Sequence, residues 1–144
     1  MKGYRIRDYR PGDYGEVRKL WEQTGMGRPE RGDDRNTIDQ CLALGGILLI
    51  LEHEATATIA GTSWMTWDGR RLYLHHFGIL PAYQGRGLSG YLLEKTLEYA
   101  RESGQQVKLE VHSTNKAAIA LYEKYGFKYL GDYMVYIIRN PGNT

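Results

Sequence analysis

Between Gly46 and Leu80 the chain carries three strand-length runs with no space between them for a helix, and this block limits the fold more than any other stretch. The runs are Ile47 to Glu52, Ile59 to Trp67 and Leu72 to Leu80. Turn signals at His53-Glu54-Ala55 and Asp68-Gly69 separate them. Connections this short join antiparallel neighbours, because a parallel crossover needs a dozen residues or more. Asp68-Gly69 is the strongest hairpin signal in the sequence, since it suits a tight turn with positive φ.

The flanks alternate between helix and strand. Tyr4 to Asp8 reads as a short strand, and Pro11-Gly-Asp13 opens a helix with Val17, Leu20 and Trp21 on one face and Gly25 at its end. A charged, turn-rich segment from Gly27 follows, then a short helix from Thr37 to Leu44 carrying Ile38, Cys41 and Leu42. Beyond the strand block, Gln84-Gly-Arg-Gly-Leu-Ser-Gly leads into Tyr91, Leu92, Leu93, Thr96, Leu97 and Ala100 at helical spacing, closed by Gly104. Val107 to Val111 reads as a strand and Asn115 to Tyr125 as a helix closed by Gly126. Phe127 to Leu130 and Tyr133 to Ile138 suggest a last hairpin around Gly131-Asp132. The result is an α+β domain with a mixed sheet, one domain over 1–140 and a tail over 141–144.

Composition narrows the partners. With 144 residues the chain suits one core, and 42% hydrophobic residues exclude disorder. The 19 Lys and Arg against 17 Asp and Glu leave +2, too mild a balance for a nucleic-acid footprint. No run approaches a membrane span, and Met1-Lys-Gly-Tyr-Arg is not the start of a secretory signal. A single cysteine, Cys41, excludes a disulfide framework and sits on an apolar helix as a structural residue; the expected address is the cytoplasm. Histidines 53, 75, 76 and 112 share no ligand spacing, so no metal site is expected.

The glycine loop points to chemistry. Gly85 and Gly87, placed where a strand hands over to a helix, let successive amides face outward at the positive end of the helix dipole. That arrangement holds phosphate, with Arg86 adding charge. A Walker loop is excluded because no Lys follows either glycine. Gly85-x-Gly87-x-x-Gly90 matches a dinucleotide fingerprint, and Glu110 lies at the right remove for a ribose. That reading is the weaker one: Pro81-Ala-Tyr-Gln intervenes after the strand, and too little chain follows Glu110 for the remaining parallel strands.

Two segments resemble the GNAT superfamily of N-acetyltransferases. Gln84-Gly-Arg-Gly-Leu-Ser, after a strand ending in Ile79-Leu-Pro, is similar to the family's Gln/Arg-x-x-Gly-x-Gly/Ala motif, with Ser89 as a departure at the last position. Asn115-Lys-Ala-Ala-Ile-Ala-Leu-Tyr-Glu-Lys-Tyr-Gly-Phe resembles its second signature. The resemblance covers about Tyr4 to Arg139 and implies a three-layer α/β/α fold, with a mixed, mostly antiparallel sheet of about seven strands and about four helices. It implies acetyl-coenzyme A (acetyl-CoA) as co-substrate. Gln84, Gly85, Arg86, Gly87, Leu88 and Ser89 would hold the pyrophosphate, Phe77 and Ile79 would pair with the pantetheine arm as a strand does, and Asn115 would reach it from the far side.

Acetyl transfer needs a neutral amine, a held oxyanion and a proton for the departing thiolate. Tyr122 matches the family's general acid. Members of the family often carry a Glu on the strand before the loop, whereas Leu72-Tyr-Leu-His-His-Phe-Gly-Ile has no carboxylate, which leaves His75 and His76 as the local bases. Alternation places His75 on one face with Tyr73 and Phe77, and His76 on the other. Arg28, Glu30, Arg31, Asp33 and Asp34 are either an acceptor-selecting cluster or a solvated run, and Trp64 and Trp67 either line a pocket or belong to the core. The acceptor is then a peptide N-terminus or a small-molecule amine, and a homodimer stays open. A non-catalytic acyl-CoA sensing module is the alternative.

Overall fold

Each run of the central block becomes a strand, with β2 at Ile47–His53, β3 at Thr58–Trp67 and β4 at Arg71–Ile79. The computed structural model describes residues 1–27 and 32–143, so Arg28, Glu30 and Arg31 lie outside the described residues. It divides into two compact units, Met1–Glu110 and Val111–Thr144.

The first unit holds a sheet in the order β1-β2-β3-β4-β5, with β1 at Tyr4–Asp8 and β5 at Gln106–Leu109. Its first three pairings are antiparallel, and β4 pairs with β5 in parallel. At the Asp68-Gly69 turn the Asp68 carboxylate accepts from the amides of Arg70 and Arg71 at 2.8 and 2.7 Å. Helices α1 (Tyr14–Thr24) and α2 (Arg35–Ala43) cover one face, and α3 (Leu88–Ser103) covers the other.

Both faces are buried, which is why β2 reads as a continuous apolar run. Leu48 and Ile50 pack with Val17, Leu20, Trp21 and Ile38 from the first two helices. Leu49 and Leu51, on the opposite face, pack with Leu88 and Leu92 of α3. Cys41 is a packing residue as expected: its sulfur accepts from Trp64 Nε1 at 3.1 Å, and burial raises its thiol pKa.

The second unit contains α4 (Lys116–Lys124), capped by Asn115, whose Oδ1 accepts from the Ala118 amide at 3.2 Å. Phe127 N bonds back to Tyr122 O at 3.0 Å across Gly126, whose φ of +97° ends the helix. The expected last hairpin does not form: Phe127–Leu130 and Tyr133–Ile138 have no ladder, so five strands stand where about seven were expected among the described residues. Alternation records what a segment can bury; a strand also needs a neighbouring edge to bond.

The edge of the sheet is tied by an ion network. Arg7 forks onto Asp13 at 2.8 and 2.9 Å and reaches Glu52 at 3.1 Å, while Arg5 meets Glu52 at 2.7 Å. Burial pushes both carboxyls up, but the guanidinium bonds outweigh it and hold Asp13 and Glu52 below the usual range. Such groups add stability above their unfolded pKa values, and that stability is lost as pH falls through the depressed folded values. Arg7→Met leaves Asp13, its side chain only 14% exposed, without its cation and leaves Glu52 to Arg5 alone, and should cost about 3 kcal/mol in urea unfolding at pH 7. The difference from wild type should shrink below about pH 4, where the carboxyls protonate in the unfolded chain.

Candidate active site

The strand-to-helix connection after β4 is built from two left-handed residues. Gly85 and Gly87 have φ of +78° and +77°, and a Cβ at either would meet nothing within 4 Å, so conformation rather than space demands glycine there. Gly87 is the N-cap of α3 and supplies no side chain to its amides. Tyr91 N bonds to Gly87 O at 3.3 Å, leaving the amides of the first turn directed outward. Arg86 lies along the loop, with its guanidinium over the Tyr83 ring at 5.2 Å and bonds to Tyr4 Oη and Ala82 O. Gln84 donates through Nε2 to Ile79 O at 3.0 Å and braces the turn, whereas the Leu88 side chain is buried against the sheet. An anion fits this cradle through main-chain donors and Arg86.

β4 changes character at His75. Its parallel pairing to β5 covers only Arg71 to Leu74, and from His75 to Ile79 that side of the strand has no strand partner among the described residues. Residues 75 to 78 are all half-buried, where a central strand would alternate. On the other side, the β3 register shifts between Thr62 and Trp64, so that His76 and Phe77 stand opposite Ser63 alone.

This bulge corrects the alternation expected for the histidines. His76 takes φ of +45°, turning its ring to the same face as His75. Both contact Trp64, with centroids at 6.2 and 5.2 Å, and His76 also meets Trp21 of α1 at 4.6 Å. Phe77 falls on the α3 side with Ile79 instead of sharing a face with His75. A buried polar chain holds the bulge: Trp21 Nε1 donates to Thr62 Oγ1 at 2.9 Å, and Thr62 donates to His76 O at 2.7 Å.

The two imidazoles have different surroundings. His75 stacks on Tyr73 at 4.4 Å, with Nε2 3.0 Å from Thr66 Oγ1, and burial together with His76 pushes its pKa down to about 4. Tyr73 donates to Glu110. Burial lowers His76 as well, against the pull of Asp33. Asp34 serves a separate purpose, accepting from Thr37 N at 2.8 Å to cap α2. Trp64 is core at 3% exposed, while Trp67 is 40% exposed at the strand end.

The model of the Acetyltransferase (GNAT) family matches residues 14–127. The chain belongs to this family. Solved structures carry the same fold. An acetyltransferase of Trypanosoma brucei is 22% identical, with a TM-score of 0.75 and coverage of 94% of this chain and 99% of that one. The ribosomal-protein-S18-alanine N-acetyltransferase of Escherichia coli is 22% identical at a TM-score of 0.74, covering 87% and 77%. A GNAT family acetyltransferase of Elizabethkingia anophelis with acetyl-CoA bound is 19% identical at 0.64, covering 89% and 78%.

The sequence-expected GNAT residues divide between the units. Phe77, Ile79, the 84–89 loop, His75 and His76 lie in the first, and Asn115 and Tyr122 in the second. Within its own unit Tyr122 meets Phe127 edge-on at 5.6 Å, and burial pushes its phenol up to about 12, so it holds its proton at neutral pH. Thr62 and Gly27 went unnoticed in the sequence because each acts through a residue distant along the chain. Among the described residues no group of His, Cys, Asp and Glu is arranged to hold a metal ion, and no helix is long and apolar enough to cross a membrane.

Thr62→Val keeps the shape but leaves Trp21 Nε1 and His76 O without their partner. Urea unfolding should show a loss of about 1–3 kcal/mol, with a change in the near-ultraviolet circular dichroism of the tryptophans.

Proposed function

We propose that this GNAT domain transfers acetyl from acetyl-CoA to a primary amine, either a peptide N-terminus or a small-molecule amine, by direct attack in a ternary complex. The observation that carries the reading is one strand serving two purposes. Among the described residues β4 leaves its His75 to Ile79 edge without a strand partner, and it ends at the two-glycine turn that opens α3. An extended arm with amide groups suits that edge, and a pyrophosphate suits the amides of the turn with Arg86 beside them.

In this reading Phe77 and Ile79 present the strand edge, and Gly85, Arg86, Gly87, Leu88 and Ser89 supply the anion contacts, with Gln84 bracing the turn from behind. Acetyl-CoA supplies the acetyl group as an activated thioester. Asn115 caps the helix that carries Tyr122, and Tyr122 donates the proton that the departing thiolate needs. A histidine of β4 accepts the proton that the amine loses. The likeness to the S18-alanine enzyme makes an N-terminal alanine the first peptide acceptor to try. A lone cysteine, itself engaged with Trp64, suits a cytoplasmic setting.

Calorimetric titration should show acetyl-CoA binding with no comparable binding of NADH or ATP; preference for NADH would sink the reading. Gly87→Ala must hold alanine at a φ of +77° or abandon the turn, so its acetyl-CoA affinity should fall by about 5-fold or more. Tyr122→Phe should lower thiol release in the presence of an amine by about 100-fold while leaving acetyl-CoA affinity intact. An unchanged rate removes Tyr122 from the reaction, and binding without transfer by the wild-type chain favours the sensing alternative.

A further inference from the structure

Three separate segments converge on the β4 bulge. His76 Nε2 lies 3.2 Å from Asp33 Oδ1, each side chain 14% exposed, close enough for charge but off the line of a formed hydrogen bond. Gly27 roofs the pair: a Cβ there would stand 2.4 Å from His76 Nε2 and 2.5 Å from Asp33 Oδ2. The next contact of the same segment repeats the closeness, since a Cβ on Gly78 would stand 2.7 Å from Met26 Cε. The chain leaving α1 therefore lies directly on the bulge, with glycine on each side where a side chain would separate them.

We propose that His76, oriented by Asp33, takes the proton from the attacking amine. The inference rests on the acetyl-transfer reading and names the base which that reading left between two histidines. In the step the amine nitrogen bonds to the acetyl carbon, the carbon–sulfur bond breaks, the amine proton passes to the imidazole, and the departing thiolate takes up a proton from the general acid of that reading. A proton on Nε2 facing Asp33 leaves Nδ1 with the lone pair that does the work. Asp33 is a positioning residue: its carboxylate, 3.2 Å from Nε2, favours the proton on that nitrogen and stabilises the imidazolium as it forms.

His75 is a poorer base. Its Nε2 faces Thr66 Oγ1, its ring is stacked on Tyr73, and Tyr73 rather than His75 bonds Glu110. The positive φ of His76 is a strained conformation for a residue other than glycine, and it sets the imidazole between Trp21, Trp64 and Asp33. The groups facing His76 are Asp33 from the segment before α2 and His75 from its own strand, while α1 and β3 present the uncharged Trp21, Trp64 and Thr62. Burial keeps the imidazole neutral, and Asp33 is the carboxylate that draws its pKa back up.

The test is thiol release from acetyl-CoA with three probe acceptors: a hexapeptide with N-terminal alanine, spermidine and tyramine. His76→Gly suits a φ of +45° and so should fold; kcat should fall about 100-fold with acetyl-CoA affinity unchanged, and added imidazole should restore part of the rate. Asp33→Asn removes the charge that favours imidazolium, so the acid limb of kcat/KM should move to lower pH while the plateau falls about 10-fold. An active wild type whose His76→Gly variant keeps its rate, or loses it without imidazole rescue, overturns the proposal alone, as does an acid limb that Asp33→Asn leaves in place. A wild type that binds acetyl-CoA but releases thiol with none of the probes overturns the transfer reading and the base with it.

Discussion

The β3–β4 pairing departs from regularity at the bulge of His76 and Phe77, and the candidate site is arranged around it. Before it, β4 is bonded on both sides and buries Leu72 and Leu74. After it, the strand keeps β3 and has no strand partner on the other side among the described residues. One extra residue re-aims every side chain that follows, so two adjacent histidines share the face of α1 while Phe77 turns to α3. A strained residue persists only when its surroundings over-determine it. Here Trp21 and Thr62 do so through a buried hydrogen-bonded chain, and Met26 and Gly27 do so by close packing.

The same strand couples the bulge to the glycine turn. Ile79 closes β4 in the α3-side core, its carbonyl is held by Gln84, and the chain then passes through Gly85 and Gly87 into the first turn of α3. Along this path no side chain places the outward amides; backbone conformation does, and it is anchored by Leu88 buried in the sheet. Amide donors fixed in this way need little reorganisation to meet an anion, because backbone conformation sets them beforehand.

Legibility in the sequence followed the range of the interactions. The central hairpin was readable because Asp68 and Gly69 settle their own turn, and β2 because four successive apolar residues fill two opposed cores. Gly25 and Gly126 were readable as helix ends for the same local reason. The last two strands were misjudged because Tyr133 to Ile138 is a strand-length apolar run without a ladder to join. The strand–turn–helix form of the glycine loop was legible from spacing alone, because Gly85 and Gly87 settle their own backbone. The faces of His75 and His76 were misassigned because a bulge leaves no mark in alternation; it depends on Thr62 and Trp21, which sit on other elements.

The charged segment before α2 shows how coarse the idea of a charge run is. Asp33 and Asp34 are neighbours of the same type, and hydropathy treats them alike. Asp34 turns to the helix and accepts from Thr37 N, which any helix start of this kind requires. Asp33 turns inward to a half-buried imidazole, where a carboxylate without charge or hydrogen-bond compensation would be costly. Asp33 is held there beneath a glycine that admits no side chain above it. It brings to β4, from the α1–α2 connection, a negative charge that the strand itself lacks.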